Sequence, residues 1–264
     1  MPELPDVETF KRYFNATSLH KKIEKVMVED DDILEGISQR GLKLKLKNRK
    51  LERSRRHGKY LFAELDNNYY LIMHFGMTGF LSYARSKEYL GNNPRVILKF
   101  SDGYYLSYDC QRKLGKVSVI NDLDDFIRQK ELGPDALDSE ISFEEFKRKY
   151  SSRSGSIKSA MMNQSILSGI GNVYSDEILF QASIHPASSA KKLSEKELKK
   201  LHSTMKRVLN IAIKRQADPG SFPRTYLLRH RTDKEKCPKC GGTIRKKTIS
   251  GRSSLFCSKH QRKF

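Results

Sequence analysis

The 264-residue chain contains no long apolar run. Its longest candidates, such as YYLIMHF at 69–75, fall far short of the about 20 residues a helix needs to cross a bilayer. The first residues also lack the basic-then-apolar layout of a signal peptide, so a soluble, intracellular protein with no membrane partner is expected. Cysteine is scarce, with only Cys110, Cys237, Cys240 and Cys257, and in a reducing compartment that argues against a disulfide framework. Internal repeats and low-complexity tracts are missing as well. Although only 37% of residues are apolar, the length suffices for two compact domains with real cores.

Carboxylates are the next shortage. The chain has 31 Asp and Glu against 51 Lys and Arg, for a formal charge of +20 and a pI near 9.8. The imbalance is local: Lys43–Lys59 hold nine basic residues and one acid, Glu52, and the 28 residues from Cys237 to Phe264 hold eight basic residues and no acid. VEDDDILEG at 28–36 and DLDDF at 122–126 are acidic instead. Scattered solubilising lysines would not leave the C-terminal stretch without a carboxylate, so a polyanionic partner is expected, and nucleic acid fits. A membrane-surface role is disfavoured, because no basic amphipathic helix carries a large exposed apolar face.

What is present falls into two patterns. A helix running to about Phe14 opens the chain, with Pro5 in its first turn and Asp6 and Glu8 suited to its N-terminal dipole. From Ile23 to about Val119 the pattern is strand-like. LKLKLK at 42–47 alternates strictly and predicts a strand with Leu42, Leu44 and Leu46 on one face. KYLFAEL, YYLIMHF, RVILKF, YYLSY and KVSVI follow, separated by turn-like DNN, NNP and SDG. So many short strands predict a β-sandwich or barrel. Beyond Gly133-Pro134 the pattern becomes helical, with capping-box signatures at Ser142…Glu145 and Ser194…Glu197. Leu198, Leu201, Met205, Val208, Leu209 and Ala212 then recur as a core-facing stripe. Ile157 to Ala182 reads as helix, turn, helix around SGIGN, and QADPGSFPR at 216–224 breaks the chain before a short basic module.

Two constellations carry chemistry. In the terminal module, Cys237-x2-Cys240 is followed, after sixteen intervening residues, by Cys257-x2-His260. Two such knuckles supply the four N/S donors of a closed, structural Zn2+ site. TIRKKTISGRSSLF between them reads as two strands around a turn at Ser250-Gly251. Cys110 has no such partner and reads as a passive thiol. The Gly-x-Gly of SGIGN follows a helix and no GK[ST] comes after it, which excludes a P-loop and a dinucleotide fingerprint. Gly169 and Gly171 let the backbone turn before a helix led by Asn172, whose open N–H groups and amide suit a phosphate; a plain turn between helices fits these residues equally well.

Together, MPELPDVE at 1–8, GKYL at 58–61, MHFGMTG at 73–79, RKLGKV at 112–117, IKSAMMNQSILSGIGNVYSDEILF at 157–180 and the zinc finger with Arg252 and Gln261 resemble the Fpg/Nei family of DNA glycosylases. The motifs keep the family's order across essentially the whole chain. The resemblance implies an α+β protein: an N-terminal β-sandwich with a leading helix over 1–134, a helix–two-turn–helix domain over 135–218 and a C-terminal zinc finger over 219–264. It implies a monomer, cytoplasmic or nucleoid-associated, that holds damaged double-stranded DNA in a cleft between domains. The implied activity is that of a bifunctional glycosylase and AP lyase in base excision repair.

The resemblance also assigns residues. Removal of Met1 would leave Pro2 with a secondary amine, far less basic than a lysine when partly desolvated, which attacks C1′ of the damaged nucleoside. The resulting iminium drives β- and then δ-elimination, with Glu3 protonating the sugar oxygen and shuttling protons. Lys59 matches the hairpin lysine that contacts DNA at the lesion, and Lys158, Asn172 and Arg252 match phosphate-binding positions around an everted nucleotide. Met77 and Arg112 match two residues that fill the gap left by the flipped base. Leu114 takes the third place, where phenylalanine is usual in the purine branch. By pattern alone, Met77 and Leu114 read as core, Lys59 as a solvated strand lysine and Pro2 as incidental. Other departures are Asp6 for the commoner glutamate, His260 for a fourth cysteine, and a link of only twenty residues between Gln216 and Cys237. That link is too short for the loop that covers an everted 8-oxoguanine, so abasic sites, ring-opened purines or oxidised pyrimidines are the expected substrates. A non-catalytic damaged-DNA-binding protein on the same scaffold is the alternative, and a zinc-ribbon transcription or RNA-binding factor would leave Pro2 and Glu3 unexplained.

Overall fold

The computed structural model describes Pro2–Phe264; Met1, and with it the expected removal of that residue, lies outside the described residues. The chain divides into two compact units, one made of Pro2 with Asp6–Lys130 and the other of Glu3–Pro5 with Glu131–Phe264. The leading helix α1 (Leu4–Ser18) runs four residues past Phe14 and buries Val7 and Phe14 completely.

The first unit continues through β1 (Ile23–Val28), α2 (Gln39–Leu46), β2 (Leu51–His57), β3 (Tyr60–Leu65), β4 (Tyr70–His74), β5 (Gly79–Ala84), β6 (Pro94–Phe100), β7 (Tyr105–Cys110), β8 (Lys116–Ile120) and α3 (Leu123–Gln129). The strands form two antiparallel sheets, in the orders β1-β6-β7-β5 and β2-β3-β4-β8. Cross-strand partners Leu61 with Met73 and Ala63 with Leu71 in one sheet meet Leu98 with Leu106 and Val96 with Tyr108 of the other in a single apolar layer. This is the expected sandwich. The intervening Phe62 and Ile72 point to the outer face, where Phe126 of α3 covers them. Burial on both faces explains why β3 and β4 read as nearly unbroken apolar runs.

LKLKLK is not a strand. It lies mostly in α2, which Ser38 caps by accepting from Gly41 N. Leu42 and Leu46 are fully buried, whereas Leu44 is 69% exposed. Alternating leucines place every second residue on one strand face, but in a helix only positions i and i+4 coincide. The serine cap and the helix-favouring leucines and lysines, none of them β-branched, decide for the helix. Acidic DLDDF likewise supplies α3, with Asp122 accepting from Asp125 N at its start.

The second unit holds α4 (Phe143–Ser151), α5 (Ile157–Met162), α6 (Asn172–Ala182), α7 (Glu195–Lys214), β9 (Ile244–Ile249) and β10 (Arg252–Cys257). Ser142 caps α4, while Ser194 and Glu197 close a full capping box on α7. All six residues of the α7 stripe are buried, in a core shared with Phe146 and Tyr150 of α4 and Ile178 and Leu179 of α6. The β9–β10 turn falls at Ser250-Gly251 as expected, with Arg252 opposite Ile249. Among the described residues, no helix is long and apolar enough to cross a membrane.

Candidate active site and nucleic-acid interface

Glu3 is fully buried, and its carboxylate closes the N-terminus of α6. Oε2 accepts from Gly171 N at 2.7 Å and Tyr174 N at 3.2 Å, and Oε1 accepts from Val173 N at 2.7 Å. One side chain thus satisfies three donors that a helix start leaves orphaned, where the macrodipole favours negative charge. Leu4 N adds a bond to Gly169 O at 3.0 Å. The two glycines make this approach possible: a Cβ on Gly171 would lie 2.6 Å from Glu3 Oε1, and one on Gly169 would lie 2.5 Å from Leu4 Cδ1. The open N–H groups expected at SGIGN are therefore not open, since three of them serve Glu3. Asn172 takes the first helical position, and its Oδ1 is buried with no hydrogen-bond partner.

In the first unit, the β4–β5 and β7–β8 loops meet. Arg112 N donates to Thr78 Oγ1 at 3.0 Å, and the Gly76 backbone comes so close that a Cβ there would lie 2.5 Å from Leu114 O. Met77 and Leu114 are left 37% and 49% exposed, beside the exposed Arg112. Large apolar side chains that stand in water on adjoining loop tips suit insertion into a base stack. Lys59 sits at the β2–β3 hairpin. Arg56 braces that hairpin against α1, donating to Glu8 Oε2 and to Gly58 O, each at 3.1 Å.

His74, within MHFGMTG, belongs to this neighbourhood. Its ring lies 4.7 Å from that of Tyr60. Burial first, and then the Lys59 ammonium, push its pKa down to about 4, so it is neutral at physiological pH.

Lys158, expected at a phosphate, is fully buried and engaged. Its Nζ lies 2.6 Å from Asp176 Oδ1 and donates to Ser253 O at 3.1 Å. Burial pushes this ammonium down, against the attraction of Asp176. Arg252, by contrast, is exposed at the start of β10. Of the expected site residues, the first unit therefore holds Pro2, Lys59, Met77, Arg112 and Leu114, and the second holds Glu3, Lys158, Asn172 and Arg252.

In the terminal module, Cys237, Cys240, Cys257 and His260 converge, with all four donor atoms within 4.8 Å of one another. Cys240 Sγ is 3.5 Å from Cys257 Sγ and 3.8 Å from His260 Nδ1, and Cys237 Sγ is 3.5 Å from the same Nδ1. These separations match the edges of a tetrahedron around zinc with bonds of about 2.0–2.3 Å. His260 Nε2 lies 3.1 Å from Phe180 O, and donation there leaves Nδ1 free for the metal. Gln261 ties the module down by accepting from Cys257 N and donating to Ile184 O.

The link into the module is not a free loop. Phe222, Tyr226, Leu227 and Leu228 are all buried. Glu177, another residue that sequence reading missed, accepts from Leu228 N and Gln181 Nε2, each at 2.7 Å. Burial pushes its carboxyl up to about 7.

Residues 1–117 match the formamidopyrimidine-DNA glycosylase N-terminal domain, 132–222 the formamidopyrimidine-DNA glycosylase H2TH domain, and 234–259 the zinc finger found in FPG and IleRS. Formamidopyrimidine-DNA glycosylases of Ureaplasma parvum and Haemophilus influenzae are each 33% identical to the chain, over 97% and 100% of it and 98% and 100% of their own lengths. Crystal structures of the Lactococcus lactis enzyme cover 99% of the chain at 28% identity. Their TM-scores are 0.90 for a complex with abasic-site DNA and 0.91 for one with DNA containing a ring-opened guanine. The chain belongs to the Fpg/Nei family of DNA glycosylases. Its Cys3His cluster is the family's zinc finger and holds a structural zinc ion.

Proposed function

We propose that this DNA glycosylase of base excision repair uses the Pro2 amine as its nucleophile and Glu3 as its proton shuttle. The observation that carries the reading is the fixed carboxylate of Glu3, adjacent to Pro2 in the chain and held by three amides of α6. The amine attacks C1′ of the damaged nucleoside and the base departs. Glu3 then passes the proton lost by the amine to the sugar-ring oxygen as the ring opens to the iminium. Loss of the acidified C2′ proton expels one flanking phosphate, and a second elimination expels the other. Lys59 contacts the DNA at the lesion, Asn172 and Arg252 hold phosphates, and Met77, Arg112 and Leu114 fill the space of the everted nucleotide.

The short link supports a lesion preference. With Phe222, Tyr226, Leu227 and Leu228 committed to the interior, little chain is left to cover an everted purine. The enzyme therefore works on abasic sites, ring-opened purines and oxidised pyrimidines in duplex DNA, as an intracellular monomer, and is weak on 8-oxoguanine paired with cytosine.

Borohydride should trap a covalent complex with abasic-site DNA, cross-linked at Pro2, and an N-terminal extension should abolish it. A cross-link that maps to Lys59 would contradict the assignment. Single-turnover rates on a panel of matched duplexes test the preference, and 8-oxoguanine opposite cytosine as the fastest substrate would overturn it.

A further inference from the structure

One helical turn along α6 from its Glu3-capped start, Asp176 centres a buried polar cluster that the chemistry above does not use. Asp176 is 1% exposed and Lys158 0%. Oδ1 takes Lys158 Nζ at 2.6 Å and Ser254 Oγ at 2.7 Å, and Oδ2 takes Arg231 Nη2 at 2.9 Å and Leu255 N at 3.2 Å. Lys158 holds the same strand a second time through Ser253 O. Ser253, Ser254 and Leu255, the three residues that follow Arg252, are thus all fastened to this cluster. A two-stranded hairpin by itself is marginal in water; here Ile244 and Leu255 pack with Phe180 of α6 and the zinc secures the Cys257 end of β10, but neither is directional at the Arg252 end. Arg252 stands at the other end, five residues and about 17 Å of strand away. The cluster has one carboxylate for two cations, and Arg231 Nη1 is buried without a partner. Such an ionic cluster is a poor source of net stability compared with apolar packing, and its better-attested use is to specify geometry.

We propose that Asp176 is a positioning residue: it sets where the β9–β10 hairpin, and with it the Arg252 guanidinium, stands relative to the Glu3-bearing end of α6, and Lys158 acts through it rather than on DNA. The distance being set is short, since Asn172 and Asp176 are separated by about 6 Å of helix rise. The inference rests on Arg252 as a phosphate contact.

A double-mutant cycle tests it. Affinity for a duplex carrying a non-cleavable abasic-site analogue is measured for the parent chain, Asp176→Asn, Arg252→Ala and the double variant, with zinc content and melting temperature as controls. Arg252→Ala should weaken binding about tenfold in the parent and less than about twofold in Asp176→Asn. Asp176→Asn should itself weaken binding, although removing a carboxylate from a +20 protein would tighten its hold on a polyanion if only overall charge mattered. The salt dependence should fall by about one counterion in either single variant and no further in the double. Equal or tighter binding by Asp176→Asn, or the full cost of Arg252→Ala in both backgrounds, overturns the positioning role. No effect of Arg252→Ala in the parent overturns the phosphate-contact reading beneath it. Should Asp176→Asn lose zinc or fail to fold, Ser254→Ala, which keeps the ion pair, goes through the same cycle, with the same non-additivity expected at smaller size.

Discussion

The two units are held together in different ways. In the sandwich unit, one charged residue is buried among those described, Asp109, and two apolar layers account for the interior. The helical unit buries Glu3, Asp135, Lys158, Asp176 and Glu177 beside a comparable apolar core, and adds a metal. Apolar packing is non-directional, whereas a buried carboxylate accepts its partners only from certain places. The unit that fixes Glu3 and Arg252 is therefore the one that carries ionic and metal devices. The sandwich presents its candidate DNA residues on loop tips and at a hairpin end.

Loss of the zinc should sharpen that contrast most. Chelation or Cys240→Ser forfeits metal binding on the order of 10 kcal/mol. Amide exchange should lose protection over residues 237–264 while β2, β3 and β4 keep theirs. Simultaneous loss in those strands would break the distinction between the units. Next in size, Gly171→Ala puts a Cβ into the Glu3 carboxylate. Strand cleavage should fall about a hundredfold, as expected for displacement of the proposed proton shuttle, with a far smaller change in melting. Full activity would mean that the α6 cap is dispensable.

The pH response should have opposite signs in the two units. Glu177 has its pKa raised from 4.5 to about 7, so the stability it contributes is present below pH 4.5 and is lost as the pH rises to about 7. The loss amounts to about 3 kcal/mol. His74 has its pKa lowered from 6.5 to about 4, so its contribution is present above pH 6.5 and is lost as the pH falls toward 4. Urea unfolding of Glu177→Gln at pH 5 and pH 7.5 should show a gain at the higher pH alone; equal shifts at both would contradict the buried-acid assignment. The smallest effect belongs to the exposed Leu44 of α2. Leu44→Gln should change stability by less than about 0.5 kcal/mol, while Leu42→Ala costs about 2–5 kcal/mol. Equal costs would restore the strand.

The sandwich strands, the α7 stripe, the zinc ligands and the terminal hairpin were legible because each follows from spacing along the chain. LKLKLK misled because its alternation also contains the i, i+4 pair of a helix, and the cap at Ser38 tips the balance. Glu177, Asp176 and His74 escaped because a buried polar residue is defined by partners remote in sequence: Glu177 meets Leu228, and Asp176 meets Arg231, Ser254 and Leu255. The glycines of SGIGN were read as a turn open to phosphate, when part of their purpose is to admit residues 3 and 4.

That last contact orders events in time. Glu3 bonds residues 168 to 171 positions downstream, and synthesis proceeds from the N-terminus. The sandwich sequence is made before α6, so during that interval the first residues have no helix end to dock on. A nascent or truncated product that stops short of residue 174 lacks the Glu3 clasp however well its sandwich folds. The Glu3 clasp is thereby deferred until the second half of the chain has been made.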